Sequence, residues 1–170
     1  ERTPEPEPAR RTPLFNLHVE LGAKMVAFAG YDMPINYPLG VLGEHNHTRA
    51  KAGLFDVSHM GQIRLWGDDV GAAMETLVPA DIQGLAPAHM LYTMFTNEAG
   101  GVLDDLIVTR QADHLFVVVN AACKDNDIVH LGEHLAGRCE VEVLGDRALV
   151  ALQGPAAAPV MARHAPAAAA

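Results

Sequence analysis

Between residues 39 and 155 the apolar positions change period repeatedly, and each change predicts an element. Residues 39 to 52 carry helical spacing that ends at Gly53, with Leu54 to Val57 extended after it. Gln62 to Trp66 alternates as a strand. Asp68 and Asp69 open a helix running to about Leu77, with both acids at its positive end. Leu91 to Phe95 is the next strand, and after the turn Asn-Glu-Ala-Gly-Gly comes Val102 to Thr109. The turn Gln111-Ala112-Asp113 leads into a strand from His114 to Val119. A helix then covers about Ala122 to Leu135, followed by the strand Val141 to Val143. Ala148 to Leu152 is extended, and Pro155 can open a last helix.

From 61 to 145 this order is strand, helix, three strands, helix, strand. It predicts an α+β fold with antiparallel sheets and a ferredoxin-like split β-α-β subdomain carrying one added hairpin strand. No internal repeat is evident.

One stretch breaks the pattern. In Val102-Leu103-Asp104-Asp105-Leu106-Ile107-Val108 an apolar strand carries two adjacent carboxylates. Side chains alternate across a strand, so Leu103, Asp105 and Ile107 share one face and Val102, Asp104 and Leu106 the other. Each face is otherwise apolar. Two readings stay open: an edge strand with one acid solvated and the other capping a turn, or a carboxylate at the mouth of an apolar pocket. In the second case desolvation raises the acid's pKa and lets it hydrogen-bond an amine of a bound substrate.

Composition narrows the function classes. The 170 residues are 49% hydrophobic and 19% charged, which suffices for a real core. Twelve Lys and Arg against 21 Asp and Glu leave a net charge of −9, which argues against a nucleic-acid surface. No apolar run approaches the roughly 20 residues of a membrane span. The start, Glu-Arg-Thr-Pro-Glu-Pro-Glu-Pro, is no secretory signal. Cys123 and Cys139 follow no disulfide or metal spacing and read as thiols of a reducing cytoplasm. Residues 1 to 11, rich in proline and acid, are expected to be a disordered extension. The alanine-rich end after Arg163-His164 reads as an interrupted chain.

Candidate chemistry outside the acid pair is weaker. His130-Leu131-Gly132-Glu133-His134 matches an inverted zinc-protease pattern, with both histidines on one helical face. A third ligand is missing and Gly132 loosens the helix, so no metal is assigned. Glu44-His45-Asn46-His47 spells the letters of a nuclease motif but reads as a solvated helix face. The glycosylation sequon at Asn46 lacks a secretory signal to make it usable. Serine-hydrolase elbow, phosphate loop and dinucleotide fingerprint are all absent from the sequence. Asp56, Ser58 and His59 could in principle form a catalytic set. Neighbours on a strand point to opposite faces, however, so a structural turn or a pocket wall is the preferred reading.

Four segments carry a more specific signal. TPLFNLHVELGAKMVAFAGYDMPINY (12 to 37), RAKAGLFDVSHMGQIRL (49 to 65), TNEAGGVLDDLIV (96 to 108) and VVVNAACKDNDI (117 to 128) closely resemble the aminomethyltransferase, or T-protein, family of the glycine cleavage system. The likeness runs from about Thr12 to the Leu-Gln-Gly-Pro at 152 to 155. It implies a larger multi-domain folate-binding fold, with residues 12–60 the first part of its N-terminal domain, 61–145 the ferredoxin-like subdomain and 146–170 a return to the first. It implies a tetrahydrofolate-dependent transfer of the aminomethyl group from the lipoyl arm of the lipoylated H-protein, with release of ammonia and formation of 5,10-methylenetetrahydrofolate. Tetrahydrofolate is then the co-substrate and no metal is required. The second acid of the family's Gly-Gly-x-x-Asp-Asp-Leu motif is Asp105 here, expected near N10 of the folate. Met60, Tyr92, Ile107 and Asn120 match folate-pocket positions, Tyr92 being placed to pack on the ring system.

Family members are longer, and this chain stops before their later folate contacts. The expectation is therefore a fragment with an exposed interface and little activity of its own. Two other readings stand beside the transferase. One is the folate module of a sarcosine- or dimethylglycine-oxidising enzyme, or of an iron–sulfur assembly factor. The other is a non-catalytic α+β interaction domain.

Overall fold

The structure, a computed structural model, describes residues 8–168. In chain order the elements are β1 (Arg10–Arg11), α1 (Phe15–Glu20), β2 (Lys24–Phe28), β3 (Tyr31–Asn36), α2 (Gly40–Ala50), β4 (Gly53–Asp56), β5 (Gly61–Trp66) and α3 (Val70–Met74). After these come β6 (Met90–Thr96), β7 (Val102–Arg110), β8 (Leu115–Val119), α4 (Lys124–Leu135), β9 (Glu140–Val143), β10 (Val150–Gln153) and α5 (Ala157–His164). Two compact units result. One comprises the residues up to His59 and from Arg147 onward; the other is Met60–Asp146.

The first unit holds a three-stranded sheet in the order β1-β3-β2 and an antiparallel pair of β4 with β10. The β2–β3 hairpin left no readable signal in the sequence, for two physical reasons. Its two-residue turn puts Ala29 at φ 47° beside Gly30 at φ 78°, so alanine stands where Asn or Asp would announce the turn. Pro34 also sits inside β3, next to a register shift at Lys24/Met25, where a proline ordinarily argues against a strand. Of the head expected to be disordered, residues 1–7 lie outside the described residues. Arg10 and Arg11 correct that expectation. They pair in parallel with Tyr31 and Asp32, and the Arg10 N–H donates to the Gly30 carbonyl at 2.8 Å. Both guanidinium groups lie over rings, Arg10 at 4.6 Å from Tyr31 and Arg11 at 4.1 Å from Phe15. The two arginines therefore have partners that the preceding proline and acid pattern did not suggest.

The second unit is the ferredoxin-like sandwich expected from the element order. Its sheet runs β6-β7-β8-β5-β9, antiparallel throughout. Without β6, the order is that of the split β-α-β motif, and β6 is the added hairpin strand on its edge. On the core face, Ile63 and Leu65 of β5, Leu106 and Val108 of β7, and Leu115, Val117 and Val119 of β8 pack with Leu131 and Leu135 of α4. Gly61 allows this closeness: a Cβ there would lie 2.6 Å from Val119 Cγ2 and 3.0 Å from Lys124 Cβ. The helix expected from Asp68 to about Leu77 is shorter. After Met74 the turns tighten, with Thr76 and Leu77 N–H groups bonding three residues back, and Pro79 follows. Asp69 makes no side-chain cap. Its carboxylate lies 3.6 Å from Arg138 instead.

Candidate functional site

The acid pair sits where β7 leaves its hairpin. Asn97 ties that turn: its Oδ1 accepts from the N–H groups of Ala99 and Gly101 at 3.0 and 2.8 Å. Gly100, at φ 77°, completes it. With the turn fixed, alternation along β7 decides which acid goes where. Leu106 and Val108 are buried in the core, so Asp104 faces the core side and Asp105 the opposite face.

Register then assembles the residues singled out from the sequence. Gln62, Val118, Ile107 and Tyr92 are successive partners across β5, β8, β7 and β6. Two positions along, Asp105 pairs with Met94, and Asn120 and Met60 continue the row just beyond the ends of β8 and β5. Asp105, Ile107 and Tyr92 thus share one face of the sheet, while Met60 and Asn120 lie just past the strand ends, where the Asn120 amide reaches the Asp105 carbonyl and Asp104.

The polar contacts on this face are few and specific. Tyr92, 66% exposed, donates its phenol to the Asp105 carboxylate, and that bond is the main reason its pKa is raised. The pair is diagonal on the sheet, within reach of a long side chain. Asn120 Nδ2 donates to the Asp105 carbonyl at 3.1 Å and to Asp104 Oδ1 at 3.1 Å. Asp105 and Ile107 are half-buried. An exposed aromatic face, an apolar neighbour and one carboxylate suit a flat heterocycle bearing N–H groups.

On the core side, Asp104 meets a residue the sequence reading did not single out. Asp127 of α4 is 5% exposed, with its Oδ2 buried and unpartnered. Burial, then the bond and charge of Asp104 and the charge of Asp105, push its pKa up to about 7. A signal existed: Asp127, Leu131 and Leu135 recur at helical spacing, which puts the acid on the buried stripe. Cys123, just before α4, has its thiol pKa raised by burial and then by Asp104 and Asp127.

The other candidates fall to structural roles. Asp56 has a fully buried side chain that accepts from Thr12 Oγ1 at 2.6 Å, His18 Nε2 at 2.8 Å and the Ser58 N–H at 2.9 Å. Burial would raise its pKa, but the bonds from His18, Ser58 and Thr12 outweigh it and leave the group lowered. Ser58 Oγ donates to the Leu149 carbonyl at 3.2 Å and accepts the Leu149 N–H at 2.9 Å. The His59 ring lies edge-on to Phe28 and Tyr31. The Asp-Ser-His segment is a structural turn, the preferred reading of its sequence. The His130 and His134 rings lie 4.3 Å apart, tilted at 47°, His134 Nδ1 lies 2.9 Å from the His130 carbonyl, and the His130 ring lies edge-on to Phe95. Among the described residues no group of three or more His, Cys, Asp or Glu could hold a metal. No helix among them is long and apolar enough to cross a membrane.

The family profile described as GCVT N-terminal domain matches residues 14–169. The mitochondrial aminomethyltransferase of Homo sapiens is 48% identical over 162 residues, covering 91% of this chain and 40% of that protein. The mitochondrial aminomethyltransferase of Dictyostelium discoideum is 47% identical over 154 residues, covering 86% of this chain and 38% of that protein. The crystal structure of glycine cleavage system aminomethyltransferase T from Bartonella henselae superposes with a TM-score of 0.86 at 45% identity, covering 91% of this chain and 43% of that one. The chain thus spans about two fifths of the length of these relatives. On the profile match and these identities, the chain belongs to the glycine cleavage T-protein family, as its N-terminal portion.

Proposed function

We propose that the protein carrying this chain is a tetrahydrofolate-dependent aminomethyltransferase of the glycine cleavage system. Its substrate is the aminomethyl group on the lipoyl arm of the H-protein, and its products are ammonia, dihydrolipoyl H-protein and 5,10-methylenetetrahydrofolate. What supports this reading is the placement of Asp105, Ile107 and Tyr92 on one sheet face, with Asn120 bonded to the Asp105 carbonyl at the strand end. Tetrahydrofolate supplies the nitrogens that take up the one-carbon unit. In this reading the Tyr92 ring and Ile107 form the apolar platform. The Asp105 carboxylate accepts a hydrogen bond from a folate N–H and so orients that nitrogen, while the Tyr92 phenol holds the carboxylate in place. Asn120 holds the backbone of Asp105. A cytoplasmic location belongs to the same proposal, with cysteine usage as its support.

Tetrahydrofolate titration and turnover with aminomethyl-lipoyl H-protein, on the full-length protein and its Asp105→Asn variant, test the reading. Loss of about a hundredfold or more in kcat is expected, the range of a positioned acid–base group. If neither protein binds tetrahydrofolate, or both turn over equally, the reading is wrong.

A further inference from the structure

Behind the open face, the core side of β7 holds acids that the proposed reaction leaves unused. Asp104 Oδ2 and Asp127 Oδ2 are both buried without a hydrogen-bond partner, on the core side of β7 and on the buried stripe of α4, and Asp104 helps to raise the pKa of Asp127. Two carboxylates offer only acceptors, so a hydrogen bond between them requires a proton, and the raised pKa puts that proton on Asp127. The remaining oxygen of Asp104 accepts from Asn120, and the same Asn120 amide nitrogen holds the Asp105 carbonyl. A continuous chain of contacts therefore runs from α4 through the sheet to the peptide that carries Asp105.

We propose that Asp127 and Asp104 are positioning residues for Asp105: sharing one proton beneath the sheet, they hold Asn120, and through it the Asp105 peptide, in place. This rests on the reading of Asp105 as the acid of the folate face. Loss of the proton leaves two negative charges in contact in a buried site. That repulsion drives Asp104 from its partner and slackens the Asn120 bridge. Among the described residues, the core that the strands present beneath α4 is apolar, with Ile63, Leu65, Val117, Val119 and, packed against it, Val141, and the buried Thr93 hydroxyl on β6. Asp105 adds a further negative field from β7. On α4 itself, Cys123 is a thiol kept protonated by its setting, Lys124 lies three positions before Asp127 and His130 three after, the last with its pKa lowered by burial. The shared proton leaves near neutrality, as the pKa of about 7 for Asp127 indicates.

Carbon-13 NMR of the aspartate carboxyls in the full-length protein reads the pair without any ligand. The Asp127 carboxyl should titrate near pH 7. The Asp105 backbone amide and the Tyr92 ring should shift with the same midpoint. In Asp127→Asn, which keeps a donor to Asp104 but cannot titrate, those shifts should vanish. Tetrahydrofolate affinity of the wild type should weaken by up to about tenfold per pH unit above that midpoint, and Asp127→Asn should flatten the profile. Asp104→Ala, which removes the acceptor for Asn120, should weaken binding at every pH. The proposal is overturned if Asp127 does not titrate near neutrality, or if the Asp105 and Tyr92 signals follow the same curve in Asp127→Asn. A wild type that shows the coupled titration but binds no tetrahydrofolate overturns the folate reading and upholds the pair.

Discussion

Asp56 shows what a single buried carboxylate does for the first unit. Three donors from α1, its preceding loop and the turn after β4 converge on it, with Thr12 and His18 44 and 38 residues away along the chain. Truncating it strips His18 and Thr12 of their acceptor at once. Asp56→Ala should lower stability by about 3 kcal/mol, the scale for leaving buried donors without their acceptor, as a fall in the urea midpoint. The pH dependence has a definite sign. Because the folded pKa of Asp56 lies below its unfolded value, its contribution is present above about pH 4 and is lost as pH falls through the folded pKa. Asp127 acts the other way. Its folded pKa of about 7 lies above the unfolded value of 3.8, so stability of the second unit falls as pH rises from about 4 to about 7 and then levels. Asp127→Asn should abolish that decline in a series of thermal melts.

The acid pair in the sequence was legible to the extent that strand alternation is. Asp104 and Asp105 were placed on opposite faces, and they are. Nothing in residues 102–108 revealed which face was the core, because Leu103 and Ile107 are as apolar as Leu106 and Val108. The helix behind β7 settles it, and that helix lies some twenty residues further on. Asp127 was hidden because an acid in the first turn of a helix ordinarily interacts with the dipole in solvent.

Element boundaries in the second unit followed from turn chemistry and period, so its strands were readable. The β2–β3 hairpin was not, since its turn uses Ala29 and its strand contains Pro34. Gly61 offers a direct test of how tightly β5 and β8 meet under α4. Gly61→Ala would place a methyl 2.6 Å from Val119 Cγ2, and a cost of about 1–3 kcal/mol in chemical denaturation is expected from overpacking. The same change at Gly100, where nothing lies within 4 Å, meets only the strain of φ 77°. Gly100→Ala should therefore cost about 1 kcal/mol.

At the scale of the molecule, α2 buries none of its residues. Leu39, Val41 and Leu42 are 63%, 65% and 72% exposed, and Ile35 and Leu54 are likewise open. Leu39, Ile35 and Leu54 line a common cleft of about 320 Å³ with Tyr37 and Phe55. Contiguous apolar surface of this kind attracts partners or other copies of the chain. The 170-residue chain should bind an environment-sensitive hydrophobic dye in its folded state. Leu42→Lys should reduce that fluorescence and raise solubility without lowering the melting temperature, because Leu42 has little packing to lose.

The doublet of acids has one more consequence, for how the hairpin proofreads itself. If β7 slid by one residue against its neighbours, Asp104 would take the outward place and Asp105 the inward one. Each face would still show one carboxylate between two aliphatic side chains. The misthreaded strand would look chemically almost normal, so its charges could not reject it. Correct threading must be enforced from outside the doublet, by the Asn97 turn, the irregularity at Phe95/Thr96 and the single amide of Asn120. Asn120→Ala should then give a fraction of molecules trapped with the two acids exchanged, visible as a second, slowly converting set of Tyr92 ring signals.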